Sequence, residues 1–305
     1  MSFALHHLTA VAQDAQRSYD FYTHVLGLHL VKQTVHYEDL SSYHLYFGDE
    51  QGRPGSVLTL FIFPGIRQGG VGKGQIATAG LRIAAAEVDA WLDWLSQHDI
   101  LHKYPQQRGE ETVIFLEDPD GLGLELIAGL EERPLAPDPA RPRVRGLYSA
   151  EIWLPTFTQL GAFFTQTLGL SLLREQGQRF RYGSQDAPGY YLDILWGQDG
   201  SFGVRGSGTF DHVALQVPDL AALRDWRQRL KAAGLAPTPI RERTYFQSVY
   251  VEAVPGVVVE LATTSPGFAA DESPSALGQR LQVPRWEQFR RDELAAALPP
   301  LRLTK

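Results

Sequence analysis

Short segments of alternating apolar and polar residues recur along the chain in a fixed relation to helix-period stretches. Leu5-His6-His7-Leu8-Thr9-Ala10-Val11 precedes a helix-period stretch that ends at Leu26-Gly27-Leu28. At a constant offset, Leu147-Tyr148-Ser149-Ala150-Glu151-Ile152-Trp153 precedes one that ends at Leu168-Gly169-Leu170. Gly80-Leu81-Arg82-Ile83 and His212-Val213-Ala214-Leu215 are likewise followed by stretches carrying Asp93-Trp94 and Asp225-Trp226. Period-2 alternation predicts strands and the longer period predicts amphipathic helices. Asp14 and Asp219 stand where helix N-caps belong, and Gly27, Gly169 and Gly234 where left-handed C-caps belong.

The later parts of the repeats also align. Pro54-Gly55-Ser56-Val57-Leu58-Thr59-Leu60, Asp120-Gly121-Leu122-Gly123-Leu124-Glu125-Leu126 and Pro255-Gly256-Val257-Val258-Val259-Glu260-Leu261 each read as a tight turn feeding an apolar strand. The chain is therefore expected to be α+β, built from four βαβββ modules near residues 3–66, 76–130, 146–198 and 208–264. The Pro- and Arg-rich stretch from Glu131 to Arg145 suggests a domain boundary. The predicted division is residues 1–135, residues 146–264 and a tail, 265–305, that packs on the outside with a helical stretch from Trp286 to Leu298.

Composition narrows the chemistry. With 44% hydrophobic and 21% charged residues the 305-residue chain has ample material for a core, which argues against long disorder. No run approaches the length of a membrane span, and Met1 to Ala10 lacks the basic-then-apolar pattern of a signal peptide. The net charge is −7 and no dense basic cluster appears, so no nucleic-acid or membrane partner is expected. Zero cysteines remove disulfides, zinc-thiolate sites and thiol nucleophiles. The expectation is a cytoplasmic protein with a small-molecule substrate, and any metal must be held by His, Asp and Glu.

The repeats single out candidate ligands, because a residue type that differs at an equivalent position is a candidate for function. Aligned by motif, the first-strand position is His7, Gly80, Ser149 and His212. The last-strand position is Thr59, Glu125 and Glu260, with Asp193 a possibility in module three. His7, His212 and Glu260 make a two-histidine, one-carboxylate set, which suits ferrous iron or manganese and leaves coordination positions open. A carboxylate inside an apolar strand needs a partner or an ion, since burying it alone is costly. The ordinary explanation of Glu260 is an ion pair with Arg243, and a lone strand histidine is more often a hydrogen-bonded residue than a ligand. His24, His29, His36, His44, His98 and His102 follow no such repeat logic. Gly69-Gly70-Val71-Gly72-Lys73-Gly74 fails the phosphate-loop pattern at both ends and reads as a flexible loop.

These residues resemble the vicinal oxygen chelate superfamily, the glyoxalase/bleomycin-resistance/extradiol-dioxygenase group, and within it the ring-cleaving dioxygenases that act on hydroquinones. The matching segments are Leu5-His6-His7-Leu8-Thr9, Tyr43-His44-Leu45-Tyr46-Phe47-Gly48-Asp49-Glu50, Gly52-Arg53-Pro54-Gly55, His212-Val213-Ala214, Tyr245 to Val251 and Gly256-Val257-Val258-Val259-Glu260, with Ser265-Pro266-Gly267-Phe268 and Asp271-Glu272 in the tail. The resemblance implies two glyoxalase-like domains with cupped mixed sheets and iron ligands at His7, His212 and Glu260. It also implies that modules one and four share the site while two and three form a degenerate one. Around the metal it places His6, Thr9, Arg243 and Tyr250, and it puts Asp211 at a position that is often His.

The implied reaction is Fe(II)-dependent, with Mn(II) as the other admissible metal. Dioxygen would cleave a small hydroquinone-type aromatic next to a hydroxyl-bearing carbon. His6 is expected to act as acid–base at a substrate hydroxyl, although adjacent strand residues face opposite ways, so a twisted strand would be needed. Tyr250 would bond a developing oxyanion, and Arg243 would balance negative charge or hold Glu260. Thr9 shares the face of His7. A homo-oligomer is compatible with this reading but is not required to complete the site. Two alternatives use the same scaffold. A glyoxalase-like metal-dependent isomerase or lyase would want a fourth ligand where Thr59 stands. A metal-free small-molecule binding protein would not need His7, His212 and Glu260 together.

Overall fold

The computed structural model describes residues 4–129, 141–185, 189–197 and 199–304. Residues 131–140 of the expected boundary stretch lie outside the described residues. Among the described residues the strands form two curled mixed sheets with few helices.

Each module is a strand, a helical segment and a run of strands, and its first and last long strands pair in parallel. The nine-stranded sheet joins the first strand of module one, Leu5–Ala12, to that of module four, Thr209–Val217, in an antiparallel seam. The eight-stranded sheet joins Gln75–Arg82 to Leu147–Leu154 in the same way. Modules one and four thus share one sheet, and modules two and three share the other. Each sheet draws strands from both sides of the Pro- and Arg-rich stretch.

The helices begin and end where local chemistry dictates. The carboxylates of Asp14 and Asp219 accept from Arg17 N and Ala222 N, both at 2.9 Å, and satisfy amide donors that an N-terminus otherwise leaves orphaned. Gly27 and Gly169 adopt φ of 72° and 74° to end equivalent helices, a region glycine enters without a Cβ penalty. Both helices close with a wide π-turn, Phe21–Val25 and Phe163–Thr167. The Val88–Gln97 helix buries Trp91 and Leu95, and Leu220–Ala232 buries Leu223, Trp226 and Leu230. One hydrophobic cluster runs through both sheets, from Leu8 and Leu58 to Leu126 and Ile152.

The tail crosses back over module one. Leu281–Gln282 adds a parallel edge strand beside Gln33 and Thr34. The buried Lys32 ammonium pairs with Asp271 at 2.6 Å and with Glu272, and lies 4.8 Å from the centre of the Tyr245 ring. The expected Trp286–Leu298 helix is a 3-10 segment, Arg285–Arg290, continued by a short α-helix, Arg291–Ala297. The glycine loop at 69–74 is pinned rather than free, since Gly70 and Val204 exchange backbone hydrogen bonds of 2.9 and 2.8 Å.

Strand register corrects one alignment. His7 and His212 face Val57 and Val258 across their parallel neighbours, and the residues facing Gly123 and Tyr191 at that level are Thr78 and Ser149. Gly80 faces Glu125 and is therefore the equivalent of Thr9, Glu151 and Ala214. Leu122-Gly123-Leu124 resembles its counterparts closely, but motif similarity in the first strand had slid by two residues, which preserves the face and so conceals the shift. The same register makes Asp193 the module-three counterpart of Glu260.

Candidate metal centre and cavity

The central seam of the nine-stranded sheet brings His7, His212 and Glu260 together, with ligand atoms within 4.8 Å of one another. Glu260 is fully buried and the two histidines are nearly so. Its Oε2 lies 3.0 Å from His7 Nε2 and 2.9 Å from His212 Nε2, and the two Nε2 atoms are 3.3 Å apart. Neither Glu260 oxygen makes a hydrogen bond of normal geometry among the described residues. Arg243, the expected ordinary partner of Glu260, instead pairs with Glu38 at 3.4 Å.

The partners of the other imidazole nitrogens explain why this grouping fits a cation. Asp211 Oδ1 lies 2.7 Å from His212 Nδ1 and accepts its proton, leaving the Nε2 lone pair toward Glu260. His6 Nε2 donates to the Thr263 carbonyl at 3.2 Å, so its Nδ1 is the acceptor for His7 Nδ1–H at 2.8 Å. The His7 Nε2 lone pair then also faces Glu260. Two lone pairs and a buried carboxylate converge, an arrangement that repels itself unless a cation lies among the three. Outer partners of this kind fix tautomer and ring orientation in metal sites.

The proton affinities are consistent with that reading. Burial pushes His6 down to about 3, aided by His7, so it is neutral at physiological pH. Burial lowers His212, but the hydrogen bond to Asp211 and the nearby Glu260 carboxylate outweigh it and lift the imidazole to about 9. Burial also opposes the charge of Glu260, yet His7 and His212 hold it ionised. In the absence of a metal, the positive charge this site requires is supplied by a proton on His212.

His6 reaches His7 because the seam is irregular. The pairing shifts between Leu5 and His7, and such a bulge re-aims one side chain. Adjacent residues that would face opposite sides are thereby linked. His6 stands behind His7, hydrogen-bonded to its Nδ1, and is not one of the side chains that wall the adjoining cavity.

The open side of the cluster faces a narrow slot walled by Thr9, Tyr37, Phe61, Arg243, Phe246 and Tyr250, with His36, His44 and Tyr46. Its atom-free space, part of it open to solvent, is about 330 Å³. Tyr250 lies across from Glu260 in register, and Arg243 Nε donates to its hydroxyl at 3.3 Å. Burial, then the Glu260 charge, push the Tyr250 phenol up, so it stays protonated and can donate. Of the sequence candidates, Thr9, Arg243 and Tyr250 line the slot, while His6 and Asp211 stand behind His7 and His212.

Sequence reasoning passed over His36, His44, Phe61 and Phe246. His44 carried a signal, since Tyr46 is two residues on and shares its strand face.

The counterpart of this site in the eight-stranded sheet is filled by arginine. Arg108 grips Glu125 at 2.7 and 2.5 Å, Arg179 bridges Asp193 and Glu151, and Arg181 bridges Asp193 and Glu111. Guanidinium groups supply there the positive charge that the carboxylates require.

Fold and site together define an α+β protein of two curled mixed sheets that carries a buried two-histidine, one-carboxylate cluster of the kind that holds a metal ion. The profile of the glyoxalase/bleomycin resistance protein/dioxygenase superfamily matches residues 4–126, and the chain belongs to that superfamily. "Putative ring-cleaving dioxygenase MhqO" of Bacillus subtilis (strain 168) is 32% identical over 306 residues, covering 98% of this chain and 96% of that protein. Chlorohydroquinone/hydroquinone 1,2-dioxygenase of Sphingobium indicum is 31% identical over 310 residues, covering 95% and 94%. The crystal structure of a protein titled "putative dioxygenase" from Bacillus subtilis superposes with a TM-score of 0.92 at 30% identity, covering 100% of this chain and 99% of that one. Maize glyoxalase I shares the fold, with a TM-score of 0.62 at 17% identity and coverage of 87% and 93%. No helix among the described residues is long and apolar enough to cross a membrane.

Proposed function

We propose that the chain is an Fe(II)-dependent ring-cleaving dioxygenase acting on hydroquinone-type aromatics, with His7, His212 and Glu260 as the iron ligands. The observation that carries this reading is the convergence of two Nε2 atoms and one buried carboxylate beside an aromatic-walled cavity. Three protein ligands leave positions for both an organic ligand and dioxygen. The similarity to a hydroquinone 1,2-dioxygenase over nearly the whole chain supports the substrate class. Manganese is the other metal this donor set admits.

A bound ferrous ion would supply the electron coupling between aromatic ring and dioxygen that no side chain here offers. The chain's own residues do the rest. Phe61 and Phe246 form apolar walls that hold a ring and exclude water. The Arg243 guanidinium places positive charge beside the slot and so favours a phenolate over a phenol. The Tyr250 hydroxyl, held by Arg243 Nε, is a donor for oxygen-centred negative charge. His6 and Asp211 hold the His7 and His212 rings in their metal-binding tautomers.

Thr59 bears on the isomerase alternative. It stands at the register position of Glu260 and carries a hydroxyl where a fourth carboxylate ligand would be needed. Oxygen uptake by anaerobically purified, ferrous-loaded protein given methylhydroquinone or chlorohydroquinone tests the proposal. Uptake stoichiometric with hydroquinone loss is expected. Bound iron with no uptake on either substrate contradicts it.

A further inference from the structure

Among the described residues the wall of the slot contains one acidic side chain, Glu38, and one guanidinium, Arg243. They come from modules one and four. Glu38 is at the tip of the hairpin that joins His29–His36 to Asp39–Gly48, and Arg243 lies just before the strand Gln247–Val254. Glu38 Oε1 accepts from Arg241 Nη1 at 2.6 Å and lies 3.4 Å from both Nη1 and Nη2 of Arg243. Its other oxygen, Oε2, lies 3.3 Å from His36 Nε2. The two formal charges of the wall are thus set against each other.

The neighbouring charges are engaged elsewhere. Arg243 Nε is turned to the Tyr250 hydroxyl. Asp39 accepts from the hydroxyls of Ser41 and Ser42, both at 2.6 Å, and Asp211 is held by His212. Glu242 accepts from Thr244 N and Gln247 Nε2, both at 3.0 Å. Burial holds the His36 and His44 imidazoles below their ordinary range, so neither adds positive charge at physiological pH. The remaining surfaces include the uncharged rings of Tyr37, Tyr46, Phe61 and Phe246.

Glu38 is half-exposed while Arg243 is mostly buried, so the carboxylate stands on the solvent side of the guanidinium. A guanidinium at a binding site would ordinarily take a ligand carboxylate through its paired N–H groups. Here the Nη1 and Nη2 groups already face Glu38. A ring substituent in a slot this small comes close to the pair. A neutral substituent meets no opposing charge there, whereas a carboxylate meets a like charge and finds the cation taken.

We propose that Glu38 is a specificity-determining residue, which admits aromatic ligands with uncharged ring substituents and turns away those that carry a carboxylate. This rests on the reading of the slot as the aromatic-substrate site. The selection works by repelling the wrong ligand rather than by gripping the right one. The hairpin does not depend on the Glu38 charge for its place, because the Tyr37 hydroxyl lies 3.0 Å from the Arg243 carbonyl and 2.7 Å from Thr244 Oγ1. Glutamine at position 38 keeps an acceptor for Arg241 and removes only the charge.

The test uses zinc-loaded protein and two probes of equal size that differ in charge, 2,5-dihydroxyphenylacetate and 2,5-dihydroxyphenylacetamide, with methylhydroquinone as a third ligand. Calorimetric titration gives Kd for each in the native protein, Glu38→Gln and Glu38→Asp. The native protein is expected to favour the amide over the acid by about tenfold, the scale of one charge interaction at a partly desolvated site. That preference should shrink as ionic strength rises. Glu38→Gln should remove or invert it, because Arg241 and Arg243 can then both pair with the probe's carboxylate. Glu38→Asp should keep it. Equal native affinity for acid and amide, or an unchanged ratio in Glu38→Gln, overturns the inference alone. A ratio that falls as far in Glu38→Asp as in Glu38→Gln also overturns it, since charge is then not the cause. Binding of methylhydroquinone but of neither probe does so too, because size then does the selecting. Failure of the native, zinc-loaded protein to bind any of the three overturns the substrate reading, and this inference with it.

Discussion

His6 Nδ1 lies 2.8 Å from His7 Nδ1, although the two residues are neighbours on one strand. With His6 Nε2 anchored on the Thr263 carbonyl, this contact decides which His7 nitrogen is bare. The link from backbone to the His7–His212–Glu260 cluster is thus Thr263, His6, His7, and it depends on the irregularity in the seam between Leu5 and His7. On the other side Asp211 does the same for His212 through a carboxylate. His7 and His212 are oriented by chemically different partners, a neutral imidazole and a carboxylate.

Removing His6 is therefore expected to weaken metal binding without abolishing it. His6→Ala should lower affinity for Fe(II) or Zn(II) by about 10–100-fold, the usual scale for loss of an outer partner of a ligand histidine. Chelator competition measures this directly. Unchanged affinity with lost turnover would return His6 to a role at the substrate.

Metal affinity should rise with pH. The apo site holds a proton on His212, whose imidazole titrates at about 9. A metal must displace that proton, so below about pH 9 affinity should climb by roughly tenfold per pH unit and level off above it. Asp211→Asn removes one of the groups that raise His212 and should flatten the slope at the upper end. Chelator competition at a series of pH values between 6.5 and 9 reads both effects, and a pH-independent affinity would contradict the assignment.

Tyr250→Phe should separate metal binding from catalysis. The phenol is in the slot wall and is not one of the three ligands. Metal content should match that of the native protein, while kcat falls by about 100–1000-fold, as expected for loss of one donor to developing negative charge. Loss of iron in this variant would mean that Tyr250 helps build the metal site itself.

The tail latch should matter for stability. Lys32 has no exposed side-chain surface and pairs with Asp271 and Glu272, and Tyr245 donates to Asp271 at 3.0 Å. Lys32→Met leaves two acids facing each other without their cation, and breaking such a buried pair costs about 3–5 kcal/mol. Thermal unfolding should show a clear fall in Tm. Lys32→Met combined with Asp271→Asn and Glu272→Gln should recover part of it.

Much of this was legible in the sequence, for identifiable reasons. His7, His212 and Glu260 stood out because a four-fold repeat supplies its own control at each position. The α+β fold and the caps at Asp14, Asp219, Gly27 and Gly169 followed from period and local chemistry, which act over a few residues. What stayed hidden was long-range or irregular. The His6–His7 contact needs a bulge that no alternation pattern reports. The two-residue slip at Gly80 was invisible because it conserves the strand face. His44 was set aside as lacking repeat logic, yet it walls the slot and meets Thr59 across a strand pair. The arginines of the second sheet show the same limit, since Arg181 meets Glu111 only through tertiary contact.

The most direct test of the central claim is EPR of the anaerobic, ferrous-loaded protein exposed to nitric oxide, which binds ferrous iron as a dioxygen surrogate. The account predicts a high-spin iron–nitrosyl signal that changes shape when methylhydroquinone is added and that is missing in Glu260→Ala. That result would mean that one metal, held by these three residues, accepts a gas ligand and an aromatic together. A nitrosyl signal unaffected by the hydroquinone, or one that persists in Glu260→Ala, would contradict the account.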